Sequence, residues 1–387
     1  MLTDKGVHIL ERFSDNIVYN NVMLYPIEDL INGDIYKKNG KILDNICTKC
    51  TSKETFNSYT LDAEFIVTRT NGEIDWQNTP NIQVNKVLKV RTDYYIPEIP
   101  NSNYEFFIIT KVTRDWDRYT VTARQAMFEI CNAGYIDDCR PTGNCQYALE
   151  QLAVTASVGG LEHIDYSLIS DIQDVNTAYY INKTLEDCIT GTDNSITSLW
   201  GAEVSRRGTT LQALNRVGND TNIEIREGKN ITVYEESENN DNLYYAIVPV
   251  GKVNNNTNLY GSRVLYSNYQ FNREYILPKL LIKEYPVMLI VEEEKTERDL
   301  QTYYYTSKNK ALAKLEELAQ AEVEETSVLR RGFRVMYNCN INNSLQLGDT
   351  CKLIMESQFV DTKVRVMERE FDHLEQKITS LEVKEVI

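Results

Sequence analysis

Histidine and tryptophan are scarce in this chain, three of each among 387 residues. His8, His163 and His373 stand in no His-Glu-x-x-His pattern, no Gly-x-Ser-x-Gly elbow occurs, and no cysteine forms a local Cys-His pair. Motif-borne zinc hydrolysis and serine or cysteine acyl transfer therefore have no foothold. Long apolar runs are missing too: no segment approaches the roughly 18 residues of a membrane span. The opening MLTDKGVHILERFSDN lacks the apolar core of a signal peptide, so the expectation is a chain made in the cytoplasm and left soluble. Positive charge is in deficit, 41 Lys and Arg against 57 Asp and Glu, a net −16. That balance argues against gripping nucleic acid by its phosphates. It favours solubility, and an acidic wall lets a polyanion pass without sticking.

Eight cysteines are present. Cys47-Thr-Lys-Cys50 has zinc-knuckle spacing, and Cys131, Cys139 and Cys145 lie close together in sequence. No second Cys-x-x-Cys completes a four-thiolate site, so the expectation is no metal, no cofactor and reduced cysteines serving as small core or loop residues. Glu162-His163-Ile164-Asp165 could be drawn as a base between carboxylates, and Cys145 with His163 as a distant nucleophile pair, but neither has a readable activating environment. Asp171 to Asn176 is an acidic loop without the glycine of a calcium loop. Carboxylate pairs for glycoside cleavage are set by separation in space and gain no support from composition.

Length implies two to four domains of about 100 residues or more. Period-two alternation marks strands at 17–24, 60–68, 86–90, 105–113 and 118–122, with turns at Asn32-Gly33, Asn39-Gly40, Asn71-Gly72 and Pro97 to Pro100. Helical periodicity appears at Cys145 to Val154 and Thr184 to Ile189. Between Thr209 and Val250, short strands are cut by turns at Gly208, Gly218, Gly228 and Gly251. Thr306 to Glu325 reads as the clearest helix, with Ser307 able to cap it and Leu312, Leu315, Leu318, Ala319 and Val323 on one face. Glu322, Glu324 and Glu325 at its end oppose the helix dipole, at about 0.3–1 kcal/mol each. The expected division is a first β domain, barrel or sandwich, at 1–122, an α+β domain at 123–194, a second β domain from 195–250 and 327–387, and an inserted α+β segment with its helix at 251–326. The fold class is α+β, mainly β. Tyrosine, with 25 residues, is concentrated at Tyr94-Tyr95, Tyr244-Tyr245 and Tyr303 to Tyr305. It suits protein interfaces and equally fits a biased base composition.

Three segments in order carry a resemblance. The first runs from Asn194 to Gly251: Trp200-Gly201-x-Glu203-Val204, an Arg216-x-Gly-Asn-Asp loop, Ile223-x-Ile-Arg226, Gly228-Lys229-Asn230-Ile231 and Val248-Pro-Val-Gly251. The second is Tyr104 to Ala133, and the third is Leu345 to Val386, opening on Leu347-Gly348-Asp349-Thr350. Together they resemble the minor structural proteins at the tail tip of long-tailed bacteriophages, the tail-associated lysin (Tal) or prophage endopeptidase tail family. Departures are Ala202 where a second glycine is usual, Asn222 for a turn glycine, and no proline after the helix near Ala321.

The resemblance implies a baseplate hub of a phage tail or tail-like particle, with β-barrel domains at 1–122 and at 195–250 with 327–387. In such hubs two barrels like those of the tail tube, times three subunits, form a pseudo-sixfold ring that adapts threefold to sixfold symmetry and closes the tube until DNA passes. Implied partners are two further copies, a distal tail protein ring, the tail tube, the tape measure protein and a tip or spike protein. DNA passes through without specific binding, and no membrane is spanned. Implied localisation is the virion tail, assembled in the host cytoplasm. The family's lytic region usually follows the hub, and the chain stops at Ile387 after the last barrel strand. The expectation is therefore no enzyme, with structural residues Trp200, Gly201, Glu203, Arg226, Gly228, Lys229, Asn230, Leu347, Gly348 and Asp349. A contractile-tail relative fits equally. A peptidoglycan-cleaving enzyme and a host-surface carbohydrate binder using Trp76 or Trp116 remain the competing readings.

Overall fold

A computed structural model describes residues 20–74, 80–93, 103–191, 194–238, 246–254, 257–265, 280–291, 302–326, 331–337 and 345–386. The protein is mainly β and divides into two compact units, Met1–Glu235 with Phe333–Ile387, and Glu236–Gly332.

The larger unit is organised on one long sheet. Its first part contributes β1 (Val22–Tyr25), β2 (Lys41–Ile42), β3 (Cys47–Thr55), β4 (Ser58–Ile66), β5 (Val87–Arg91), β6 (Tyr104–Arg114) and β7 (Arg118–Gln125), with the short helix α1 (Ile27–Ile31) between β1 and β2. Alternation decides which face is buried. In β4, Tyr59, Leu61, Ala63 and Phe65 point into a core shared with Leu88, Phe107 and Val121. The Asn71-Gly72 turn has both residues at positive φ, 56° and 85°, as a tight two-residue hairpin loop requires, and joins Arg69–Thr70 to Glu73–Ile74. The expected turn from Pro97 to Pro100 lies outside the described residues.

The middle of the chain is α+β. Helix α2 (Ala126–Ala133) starts where the Gln125 side-chain oxygen accepts from the Met127 and Phe128 N–H groups at 2.8 and 3.3 Å. Helix α3 (Cys145–Ala156) is capped by Asn144, whose oxygen accepts from Tyr147 N at 2.9 Å. In the same part lie β8 (Ser167–Ser170) and α4 (Leu185–Thr190), and Thr184 caps the latter. Then α5 (Ile196–Trp200) opens on a reciprocal Ser195–Ser198 capping box. A three-stranded sheet of β8, β9 (Glu203–Arg207) and β10 (Thr210–Leu214) completes this part. Its core holds Met127, Leu149, Leu152, Tyr180, Trp200 and Leu211, together with Cys131, Cys139, Cys145 and Cys188.

The chain then returns to the long sheet with β11 (Asp220–Arg226) and β12 (Ile231–Glu238). After the inserted unit follow β13 (Arg331–Tyr337), β14 (Thr350–Met355), β15 (Val360–Asp372) and β16 (Lys377–Glu385). The sheet order is β12-β13-β16-β15-β3-β4-β7-β6-β5-β1-β2, with β14 pairing β15 and β11 pairing β14. Two β lobes with separate cores are thus one sheet, stitched where β15 runs antiparallel to β3 with Glu370 opposite Lys53. No closed barrel is found among the described residues, because the path has two free ends.

In the smaller unit, Ala246–Val253 and Leu280–Leu289 pair in parallel. Thr257–Tyr260 and Tyr303–Tyr305 flank them. Helix α6 (Lys308–Thr326) lays Ala311, Leu315 and Ala319 onto Ile247, Leu259, Val287 and Leu289, with Leu312 and Leu318 at the margin. The predicted apolar stripe is therefore a core face. The side chains of Glu322, Val323, Glu324 and Glu325 lie outside the described residues.

Candidate functional site

A polar joint lies where the middle α+β part meets the closing strands. Glu203 on β9 reaches Arg365 on β15 through both carboxylate oxygens, one at 2.7 Å. The same carboxylate accepts from Val217 N at 2.7 Å. Arg365 is held from the other side by Gly348 O at 3.0 Å and Val217 O at 2.8 Å. Burial pushes the Glu203 carboxyl up, but the guanidinium and the Val217 N–H outweigh it and leave it below its ordinary value. A planar fork bound twice by a carboxylate fixes orientation as well as distance.

Beside this clasp, Asp349 is buried and accepts from Asn219 N at 2.7 Å and Gln346 N at 2.8 Å. Burial raises its carboxyl despite those donors. Gly218 and Gly348, both at φ +82°, bring the 217–219 and 346–349 turns backbone to backbone. Leu347 is buried next to them. Trp200 is buried with its indole donating to Gly143 O at 3.3 Å, and Gly201 ends α5 in the left-handed region. Of the ten residues singled out from sequence, Glu203, Gly348 and Asp349 form one joint, with Leu347 alongside and Trp200 and Gly201 leading into β9.

Arg226, Gly228, Lys229 and Asn230 form a second, separate turn. The Asn230 side chain accepts from Arg226 N at 2.7 Å and donates to Glu224 O at 2.9 Å, while Lys229 N donates to Arg226 O. Arg226 pairs with Glu356 at 3.1 Å and Glu224 at 3.5 Å. Ser357 donates to Glu227 at 2.6 and 3.0 Å, which holds that carboxyl below its usual range.

A larger group escaped the sequence reading: a buried charge network spanning β3, β6, β9 and β15. Arg369 pairs with Asp93 and reaches Glu54 at 3.9 Å, and Glu54 pairs with Arg207. Glu105 accepts from Gly208 N at 2.7 Å and Gln125 Nε2 at 3.0 Å, and complete burial raises its carboxyl. Arg206 pairs with Glu186 at 2.6 Å and lies over the Phe128 ring. His373 is buried on the same seam of β3 and β15: its Nδ1 faces Arg91 O at 2.6 Å and its Nε2 faces Ser52 Oγ at 2.9 Å. A carbonyl only accepts, so Nδ1 carries the proton and Nε2 accepts from the serine.

Burial holds His373 at a pKa of about 4 against an ordinary 6.5, the Arg91 carbonyl opposing. The folded protein keeps it neutral where the unfolded chain would protonate. Its stabilisation is therefore complete above pH 6.5 and is lost as pH falls from 6.5 to about 4, by roughly 3 kcal/mol at about 1.4 kcal/mol per unit. Urea unfolding across that window should show a flatter pH dependence in His373→Gln than in the parent. Parallel curves would remove His373 as the titrating group.

Groups considered for chemistry are dispersed. His163 and Glu162 are 3.1 Å apart but stand in solvent, while Cys145 is buried with its thiol raised by burial. Asp171 accepts from Asn215 N at 2.8 Å. Trp116 is 76% exposed with the Arg69 guanidinium 4.2 Å above its ring. His8, Trp76, Cys339, Tyr94-Tyr95 and Tyr244-Tyr245 lie outside the described residues. Among those described, no three His, Cys, Asp or Glu side chains gather to hold a metal ion, and no helix is long and apolar enough to cross a membrane.

No protein-family model matches the sequence, and no curated protein does. Solved structures do share the fold. Prophage tail protein gp18 from Listeria monocytogenes matches at a TM-score of 0.54 and 12% identity, over 94% of both chains. A tail protein from Neisseria meningitidis matches at 0.54 and 12%, over 94% of this chain and 95% of that one. The 43 kDa tail protein of prophage MuSo2 from Shewanella oneidensis matches at 0.56 and 10%, over 95% and 98%. The fold is that of prophage tail proteins.

Proposed function

We propose that the protein is a structural component of a bacteriophage tail or tail-like particle, acting as its baseplate hub. The observation that carries this reading is the end-to-end match. The likeness covers 94–95% of this chain and 94–98% of three tail proteins, two of them from prophages, so it runs the length of the chain and is not confined to one module. In the hub reading the two β lobes act as a pair of barrel-like modules per subunit, and three subunits present six to a hexameric tube. Closed symmetry of this kind needs complementary faces and no catalytic group. The four-part division at 1–122, 123–194, 195–250 with 327–387, and 251–326 then describes assembly modules.

The proposed partners are two further copies, a distal tail ring, the tube, the tape measure protein and a tip or spike protein. The ring closes the tube until DNA passes. Glu203, Leu347, Gly348 and Asp349 serve as the joint holding the middle part to the closing strands, with Trp200 and Gly201 at its approach. Arg226, Gly228, Lys229 and Asn230 shape the neighbouring turn. Light scattering over a concentration series tests the assembly: a stable species at three times 44.7 kDa, inactive on purified cell walls, is the expected result. A monomer that degrades peptidoglycan overturns the reading in favour of a tail-associated endopeptidase.

A further inference from the structure

The Cys47-Thr48-Lys49-Cys50 motif has zinc-knuckle spacing without a second thiolate pair to complete a site, and its geometry gives it another use. Residues three apart on a regular strand face opposite sides of the sheet. Here the register slips between Cys47 and Lys49, so that Cys47 lies opposite Phe65 and Lys49 opposite Glu64. Thr48 is the extra residue of a bulge. Thr48 and Lys49 are both exposed, and Cys47 and Cys50 come to the same, core-facing side of β3. The Cys47 Sγ is folded along the chain towards Cys50, 3.3 Å from the Lys49 carbonyl oxygen. Burial, with the Cys47 thiol adding to it, raises the Cys50 thiol. Cys47 is half-buried and Cys50 fully buried, and both are free thiols.

We propose that Cys47 and Cys50 form a redox-modification site, a dithiol on the β3 bulge that small-molecule disulfides convert reversibly to an intrastrand disulfide. The half-exposed Cys47 thiolate attacks one sulfur of the small disulfide, giving a mixed disulfide and releasing one small thiolate. The Cys50 thiolate then attacks the Cys47 sulfur, closing the Cys47–Cys50 bond and releasing the second. Two protein thiols are oxidised, one small disulfide is reduced to two thiols, and the two protein protons pass to the released thiolates. The order of attack follows exposure: of the two, Cys47 is open to a reagent, and the buried Cys50 lies on the same side of the strand to resolve it. Burial also pushes the Cys50 thiol well up, so the resolving step is the slow one. Because Cys50 O accepts from His373 N at 2.8 Å, closure pins the bulge beside the seam where β3 meets β15.

The full-length protein, incubated with oxidised glutathione and then digested under non-reducing conditions, tests this. Trypsin cuts after Lys49, so the expected product is peptide 42–49 joined to peptide 50–53, with two of the eight thiols lost and both restored by dithiothreitol. Cys50→Ala should retain glutathione on Cys47, while Cys47→Ala should leave Cys50 unmodified. A parent protein that keeps glutathione on Cys47, leaves both thiols open to alkylation, or links either one elsewhere overturns the proposal.

Discussion

Replacing Arg369 by Met should lower the unfolding free energy by about 3–5 kcal/mol, the usual cost of removing one member of a buried ion pair. The guanidinium is 2% exposed, and its partners Asp93 and Glu54 are equally withdrawn from water. Glu54 retains Arg207; the Asp93 carboxylate loses the cation that faces it. Removing both charges as Arg369→Met with Asp93→Leu should recover most of the loss, since well-packed apolar replacements of a buried pair are often neutral. Arg226→Met is the surface comparison. Arg226 is more than one third exposed, its pairs with Glu224 and Glu356 are solvated, and the expected change is below about 1 kcal/mol. Urea unfolding of the three variants decides it, and equal midpoints for Arg369→Met and Arg226→Met would show that the seam does not depend on this charge.

That seam is also where the sequence is least readable. Strands whose inward residues are apolar are found nearly to the residue: 60–68 was expected against Ser58–Ile66, and 105–113 against Tyr104–Arg114. Helix α3 likewise begins at the expected Cys145. Strand β3 gives no such signal, because its inward positions include Ser52 and Glu54, matched by His373 and Arg207 from distant parts of the chain. A polar residue facing inward looks like one facing water until its partner is known.

Bulges hide the rest. Val364 and Val366 alternate inward along β15, and strict alternation would continue inward at Glu368. A register slip between Val366 and Glu368 turns Arg369 inward instead. The same effect on β3 places Cys47 with Cys50. At the Glu203 joint, the Trp-Gly-x-Glu-Val and Leu-Gly-Asp-Thr segments are visible as motifs, but Arg365, which binds them together, stands in an alternating strand with nothing to mark it. Pairing across some 150 residues is a property of the folded backbone. The turn at Arg226 to Asn230 was legible for the opposite reason, since its hydrogen bonds close within a few residues.

Gly348→Ala should be among the most damaging small substitutions in the chain, and Gly201→Ala provides its measure. Both glycines lie in the left-handed region, at φ +82° and +64°, so both alanines carry the left-handed penalty of about 1–2 kcal/mol. At Gly201 nothing lies within 4 Å of the new methyl, and the cost ends there. At Gly348 the methyl overlaps the Val217 carbonyl, as one on Gly218 would overlap the Gly348 carbonyl carbon. Backbone cannot swing aside like the end of a flexible side chain, and overpacking adds about 1–3 kcal/mol. Separating the turns also stretches the bonds from Arg365 to Gly348 O and Val217 O and loosens the Asp349 contact with Asn219. The expected loss is about 3–5 kcal/mol for Gly348→Ala, with Gly218→Ala close to it, against about 1–2 for Gly201→Ala. If Gly348→Ala unfolds no earlier in urea than Gly201→Ala, the two turns are not pressed together in solution, and Glu203 and Arg365 would have to hold the joint without them.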